Sequence, residues 1–386
     1  MQKTIKIKGM GAVTSCGTGL PVLIESMRAG QSISRSGASF PVSFGSGIRV
    51  NQFDPDRYIR DEALADAVIS ASIDEALLEA ELKRGSSWLT DAALIVGASG
   101  MLYDAEIIYR REKNGASAPT PVAVRGAGRM ATDIANRLGI KGPVLTVTTA
   151  CTSSANALML AGEMIRRGEI NKALVVGVEV LSAFTLSGFY SLMLLNPDGC
   201  RPFDSARRGV QLGEAAAALL LEADFAIDGG ATLCGWANSC DTANVISTNI
   251  DGVFIAKVME DALSSAGITA REIVCVKAHG TGSADNDATE VRAMRLLFGN
   301  DPPPYTGLKG YIGHTLGAGG AVETAALFKA VAAGFIPATL GFKDMDPALG
   351  SAPLTAPIEA EHGHYMANFF GFGGNNTSIV FRHGKV

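Results

Sequence analysis

A lone cysteine, Cys151, separates the β-branched run "TVTT" from "SSANALMLAGEMIRRGE", in which Ala155, Leu158, Met159, Gly162 and Ile165 recur at helical spacing. A thiol at such a strand-to-helix turn meets unpaired helix N–H groups and the positive end of the helix dipole. Both favour a thiolate, and the same groups could hold an oxyanion. A small buried filler residue fits the position as well, because free cysteine is among the most buried residue types.

Two of the five histidines lie in glycine-rich turns directly after strand-like runs, His279 in "CVKAHGTGSADND" and His314 in "TGLKGYIGHTLGAGG". Either alone reads as a structural histidine. With Cys151 they form a candidate acyl-transfer site, a thiolate nucleophile with imidazoles to donate to a thioester carbonyl. Lys309, just before His314, and Glu323, after it, could be a buried charged pair that sets histidine orientation, or else a surface lysine and an exposed helix glutamate. In "NFFGFGGNNTSIVF" the glycines Gly371, Gly373 and Gly374 allow close backbone approach, but the strand and helix of a nucleotide-binding loop are missing. "HGH" at 362–364 and the pair Cys234 and Cys240 lack further ligands, so no metal is expected.

Strand-like segments ("TIKIKGMGAV", "DAALIVGAS", "KALVVGVEV", "EIVCVKAHG") alternate with Ala-rich helical patterns, which indicates an α/β fold with buried sheets. The order recurs. "GPVLTVTTACTSSANALMLAGEMIRRGE" and "PPYTGLKGYIGHTLGAGGAVETAALFKAVAAG" share a strand, a tight turn, a small-residue helix and a glycine exit, so the chain reads as a duplicated unit whose halves share one core. The expected boundary lies near residue 230, giving halves 1–230 and 231–386. In that layout the His314 loop is the counterpart of the Cys151 loop, and the two should face each other at the centre. The segment "IIYRREKNGASAPTP" reads as an excursion that could form a subunit contact or a pocket wall.

At 386 residues and 47% apolar composition the chain supports a large core, and 45 glycines with 6% aromatics suit tight turns. A net charge of −5 argues against general nucleic-acid or membrane-surface binding. Six scattered cysteines point to a reducing compartment, and with no leader pattern or membrane-length apolar run the expected location is the cytoplasm.

The motifs "TTACTSSANAL", "PFDSARRGVQLGEAAAALLLE", "KAHGTGSADNDATE", "GLKGYIGHTLGAGGAVE" and "NFFGFGGNN", in this order across almost the whole chain, closely resemble those of the β-ketoacyl-acyl carrier protein synthases of the elongating type I and II class. The resemblance implies a thiolase-like, five-layered α-β-α-β-α fold and a dimer. It also implies that Cys151 takes an acyl chain from acyl carrier protein, and that His279 and His314 hold the malonyl thioester and stabilise the enolate left by loss of carbon dioxide. Backbone N–H groups of Cys151 and Phe370 would form the oxyanion hole, Phe370 would gate the acyl pocket, Lys309 would tune the His314 region with Glu323 as its partner, and Phe203, Asp204 and Arg207 would form a supporting loop. No bound cofactor is implied, because the phosphopantetheine arm arrives on the carrier.

Departures from the family pattern include Arg208 in place of an acid, Ala215 and Ala216 in place of Gly-Ala, the short "CDTANVISTNIDG" and "GGNN" for "GGTN", all expected to lie off the catalytic set. They suggest a specialised type II ketosynthase, as in aryl-polyene pathways, whose catalytic subunit pairs with a chain-length factor lacking the cysteine. A non-catalytic subunit of that kind is the alternative. A thiolase would need a second cysteine near the C-terminus, and none follows Cys275. An acidic carrier calls for a basic patch, with Arg57, Arg60, Arg110, Arg111, Arg166, Arg167, Arg207 and Arg208 as candidates.

Overall fold

The run "ALIVG" is apolar at every position, as a strand covered on both faces must be. In the computed structural model, which describes residues 4–36, 38, 47–100, 102–113, 126–224, 230–242 and 249–384, it is such a strand. The first half contributes strands β1 (Thr4–Thr14), β2 (Ala93–Gly97), β3 (Val144–Val147), β4 (Lys172–Glu179) and β5 (Ala215–Asp224), with helices α1 (Leu64–Glu79), α2 (Ala127–Leu138) and α3 (Ser153–Arg166). The second half repeats this with β6 (Thr232–Cys240), β7 (Ile273–Ala278), β8 (Tyr305–Gly307), β9 (Gly363–Phe370) and β10 (Asn375–His383), and helices α4 (Val253–Ala266), α5 (Ala284–Phe298) and α6 (Gly319–Ala332).

The spatial orders are β3-β2-β4-β5-β1 and β8-β7-β9-β10-β6, the same sequence of positions in each half. Directions repeat too: the fifth strand runs antiparallel to the first and fourth, and the remaining pairs are parallel. The halves join where β1 meets β6 at Ile5↔Leu233 and Lys6↔Thr232. A duplicated unit is therefore written in the strand order itself.

Period-two alternation sorts each strand between two cores. Ala93 and Ile95 face a central core built on α3 and α6, whereas Leu94 and Val96 face an outer core with α1 and α2. In the second half Cys275 faces the centre, and Val276 and Ala278 face α4 and α5. Three helical layers thus enclose two sheets, the thiolase-like α-β-α-β-α arrangement. Small residues let the central helices close up: a Cβ on Gly320 would lie 2.0 Å from the Ala155 nitrogen, and one on Gly97 would lie 2.4 Å from the Ser154 Cα. Among the described residues no helix is long and apolar enough to cross a membrane. Much of the excursion (114–125) and of "CDTANVISTNIDG" (243–248) lies outside the described residues.

Candidate active site

After β3 the chain bends through Ala150, which holds a left-handed φ of 51°, into a single 3-10 turn (Ala150–Thr152) that leads into α3. Such a conformation is costly for alanine and needs its surroundings to hold it. The hydroxyl run supplies that: Ser153 Oγ accepts from Thr149 N–H at 2.9 Å and donates to the Ala150 carbonyl at 2.6 Å. Thr152 Oγ1 lies 2.7 Å from both the Thr149 carbonyl and Asn375 Oδ1. Asn375 Oδ1 also accepts from Asn156 and Asn238, each at 2.8 Å. The "GGNN" departure, through Asn375, therefore braces the turn that carries the nucleophile by way of Thr152 and Asn156.

The counterpart loop behaves alike. Leu316 has φ 43° and opens the turn Leu316–Ala318 into α6. Mirrored bends bring His314 Nε2 to 3.1 Å from Cys151 Sγ. His279 follows β7, its backbone N–H donating to Glu290 at 2.7 Å, and its ring lies edge-on to His314 with centroids 5.4 Å apart. All three line one cavity of about 360 Å³, together with Arg208, Thr281, Ser283, Phe370 and Phe372.

Lys309 and Glu323 are a buried pair, Nζ to Oε1 2.7 Å, so the surface alternative is excluded. Lys309 touches His279 directly, and its charge also acts on His314. Lys309 Nζ donates to the His279 carbonyl at 2.6 Å and stands 3.3 Å from its Nδ1. An ammonium has only donors, so Nδ1 accepts and Nε2 must carry the ring proton into the cavity. Among the described residues His314 Nδ1 has no hydrogen-bond partner, so none of them pins its tautomer.

Burial, reinforced by Lys309, holds both imidazoles well below their ordinary pKa, so both are neutral at pH 7. Burial also pushes the Cys151 thiol up to about 12, against the pull of Lys309 and of the Phe372 backbone N–H. The resting residue is therefore a thiol, where a helix start favours a thiolate: burial is the largest influence on this sulfur.

The backbone N–H groups that reach the sulfur are those of Cys151 itself and Phe372, the latter in place of Phe370. Phe370 is still in β9, paired in register with Asn376, and only after Gly371 does the backbone turn free to face Cys151. Phe370 packs its ring 5.3 Å from His279, while the Phe372 ring stacks 5.5 Å from Phe189, and both line the cavity. Phe203 is buried with φ 64° and donates its N–H to Asp287 at 2.7 Å. Asp204 accepts from Lys343 and Asp344 N–H at 2.7 and 2.9 Å, and Arg207 pairs with Asp346 at 2.8 Å. This loop backs the His279 turn without entering the cavity.

Most of the proposed basic patch is committed elsewhere. Arg60 pairs with Glu214, Arg110 with Glu106 and Arg167 with Glu163, and Arg166 lies over Trp236. Arg57 sits near the Tyr58 ring, and the Arg111 side chain lies outside the described residues. Arg208 is the candidate that lines the cavity, exposed at its rim.

Sequence reasoning missed three buried acids and bases. Glu290 caps the His279 and Gly280 N–H groups, Glu179 accepts from Ser99 and Gly317 N–H at 3.3 and 3.1 Å, and Lys277 reaches Glu323 from β7. The signal for Lys277 was present: it interrupts an apolar strand at a position that alternation turns toward the centre. Among the described residues no cluster of three or more His, Cys, Asp or Glu is placed to hold a metal.

Two family models cover the chain, the N-terminal domain of beta-ketoacyl synthase over residues 2–226 and its C-terminal domain over 230–343. Nodulation protein E of Rhizobium sp. (strain N33) is 30% identical, over 99% of this chain and all of that protein. The chloroplastic 3-oxoacyl-acyl-carrier-protein synthase I of Hordeum vulgare is 28% identical, over 98% of this chain and 89% of that one. Among solved structures, the ishigamide ketosynthase/chain length factor superposes with a TM-score of 0.89 at 29% identity, covering 99% of this chain and 100% of that one.

Proposed function

This chain belongs to the beta-ketoacyl synthase family, and within it we propose that it is a catalytic subunit: a decarboxylative condensing enzyme that extends an acyl chain by joining it to malonyl-acyl carrier protein. The observation that carries this reading is the 3.1 Å contact between Cys151 Sγ and His314 Nε2 beside a second, tautomer-fixed histidine. A non-catalytic subunit has no use for that contact.

Cys151 attacks the thioester of an incoming acyl carrier protein. Its proton passes to His314 and on to the departing phosphopantetheine sulfur, so the acyl group changes sulfurs without net proton loss. Malonyl carrier protein then enters. Nε2–H groups of His279 and His314 hold its thioester oxygen, and as the carboxylate leaves as carbon dioxide the electron pair becomes an enolate stabilised by both. Neutral imidazoles suit this step, since each must donate a proton it keeps. The enolate carbon attacks the acyl-Cys151 carbonyl, the oxyanion meets the N–H groups of Cys151 and Phe372, and the sulfur leaves as a thiolate that takes up a proton from solvent through His314. The product is a 3-oxoacyl thioester on the carrier.

The pathway is a fatty-acid, polyketide or aryl-polyene type of elongation. The phosphopantetheine arm enters with the substrate, past Arg208, Thr281 and Ser283. The half-exposed edge strand β3, and separately the exposed Phe184, Tyr190, Leu192 and Met193, support pairing with a second ketosynthase-like chain, either a copy of itself or a chain-length factor. The test measures carbon dioxide release and 3-oxoacyl product from malonyl and acyl carrier proteins, with wild type and Cys151→Ala, alone and with a co-expressed partner. Condensation by wild type that Cys151→Ala abolishes supports the reading, and no turnover by wild type even with the partner sinks it.

A further inference from the structure

Lys277 occupies an inward position on β7, in register with Ala367 of β9, where the alternation that buries Cys275 calls for an apolar side chain. A buried ammonium is expensive unless its donors are met. Here they are: Nζ lies 2.6 Å from Glu323 Oε2 and 2.7 Å from the Asn368 carbonyl, and it stands 3.7 Å from the centre of the Phe369 ring. Glu323 therefore holds a different lysine on each oxygen, Lys309 on Oε1 and Lys277 on Oε2. One carboxylate cannot cancel two ammoniums.

Resting on the condensing reading above, we propose that Lys277 is a positioning residue: by taking half of Glu323 it leaves the charge of Lys309 uncancelled and directed at His279, His314 and Cys151. The other groups facing it are the two histidines and Glu290 from α5, which accepts from the His279 and Gly280 N–H groups and whose carboxyl burial lifts to about 7, so that at neutral pH it offsets only part of the surplus. Surplus positive charge at this point favours the species that carry negative charge during turnover, the enolate and the departing Cys151 sulfur. It also disfavours protonated imidazoles. Burial draws the Lys277 ammonium down to about 8, so the surplus charge is present at neutral pH and disappears as pH rises through that value.

The experiment compares wild type, Lys277→Met and Lys277→Arg as full-length protein. Carbon dioxide release from malonyl carrier protein is followed from neutral to alkaline pH, and histidine titrations are followed by NMR. Wild type should lose decarboxylation above about pH 8. Lys277→Arg, which stays charged, should carry activity to higher pH, while Lys277→Met should be about tenfold slower at neutral pH and lack that limb. In Lys277→Met the His279 and His314 titrations should move up. Wild-type rates and an unchanged alkaline limb in Lys277→Met overturn the proposal, as does an alkaline limb in Lys277→Arg at the wild-type pH. If Lys277→Met fails to fold, the arginine variant decides. If wild type releases no carbon dioxide, the condensing reading fails separately and the histidine titrations of folded Lys277→Met decide: an upward move supports the charge assignment and no move overturns it.

Discussion

His314 Nε2 touches Cys151 Sγ at 3.1 Å, while among the described residues the far nitrogen of the same ring has no hydrogen-bond partner. His279 is the opposite case, its Nδ1 held by Lys309 and its ring edge-on to that of His314. The two imidazoles are therefore not interchangeable: one can relay a proton to and from sulfur, and the other can only donate.

The inequality predicts a split between half-reactions. His314→Ala should slow transfer of an acyl group onto Cys151 about a hundredfold, whereas His279→Ala should leave that step within a few-fold of wild type. Both should cut malonyl decarboxylation by a hundredfold or more. Single-turnover acylation and carbon dioxide release measured separately check this, and equal acylation defects would show that the sulfur contact is not used.

Glu179 gives a prediction in pH. Its carboxyl is buried, and burial lifts it to about 7 from an ordinary 4.5, although Ser99 and Gly317 N–H groups pull the other way. Between those values the folded state binds the proton and the unfolded state does not, so stability attributable to this group falls as pH rises from about 4.5 to 7. Glu179→Gln should remove that loss. Relative to wild type its melting temperature should climb between pH 5 and 8, by the equivalent of up to roughly 3 kcal/mol. A constant difference across that range contradicts the assignment.

Glu323 and Lys309 should differ in what their removal does to stability. Glu323→Ala leaves two buried ammoniums facing each other, a loss on the order of 3–5 kcal/mol. Lys309→Met leaves Glu323 still paired with Lys277, so it should be milder in denaturant melts while still impairing decarboxylation through His279. Equal destabilisation would mean that the carboxylate is not shared as described.

Packing of the central layer can be probed at Gly320. A methyl there meets the Ala155 backbone nitrogen at 2.0 Å, with no flexible atom to yield. Gly320→Ala should push α3 and α6 apart and cost about 2 kcal/mol or more. Because these helices carry the Cys151 and His314 turns, acylation should fall with it.

The duplicated fold and the meeting of Cys151 with His314 were legible in sequence, because both follow from a repeated strand, turn and small-residue helix. Details set by where a strand ends were not. The motif points to Phe370 for the N–H at the sulfur, but the β9–β10 ladder holds Phe370 in register with Asn376 and the free turn begins two residues later, at Phe372. Proximity in sequence points Lys309 at His314, on which its charge does act, but its direct contact is with His279 on the other loop. Lys277 read as one more strand residue, since a lysine in sequence looks solvated and only its partner Glu323, 46 positions away, shows that it is not. The thiol's protonation turns on its burial, which the sequence does not display.

The central claim is that Cys151 carries the acyl chain, and intact-protein mass measurement tests it most directly. Wild type incubated with acyl carrier protein bearing an acyl group should gain the mass of that group, mapped to Cys151, and should lose it when malonyl carrier protein is added as 3-oxoacyl product appears. Wild type that, with its partner present, gains no such mass, or gains it at another cysteine, would contradict the account.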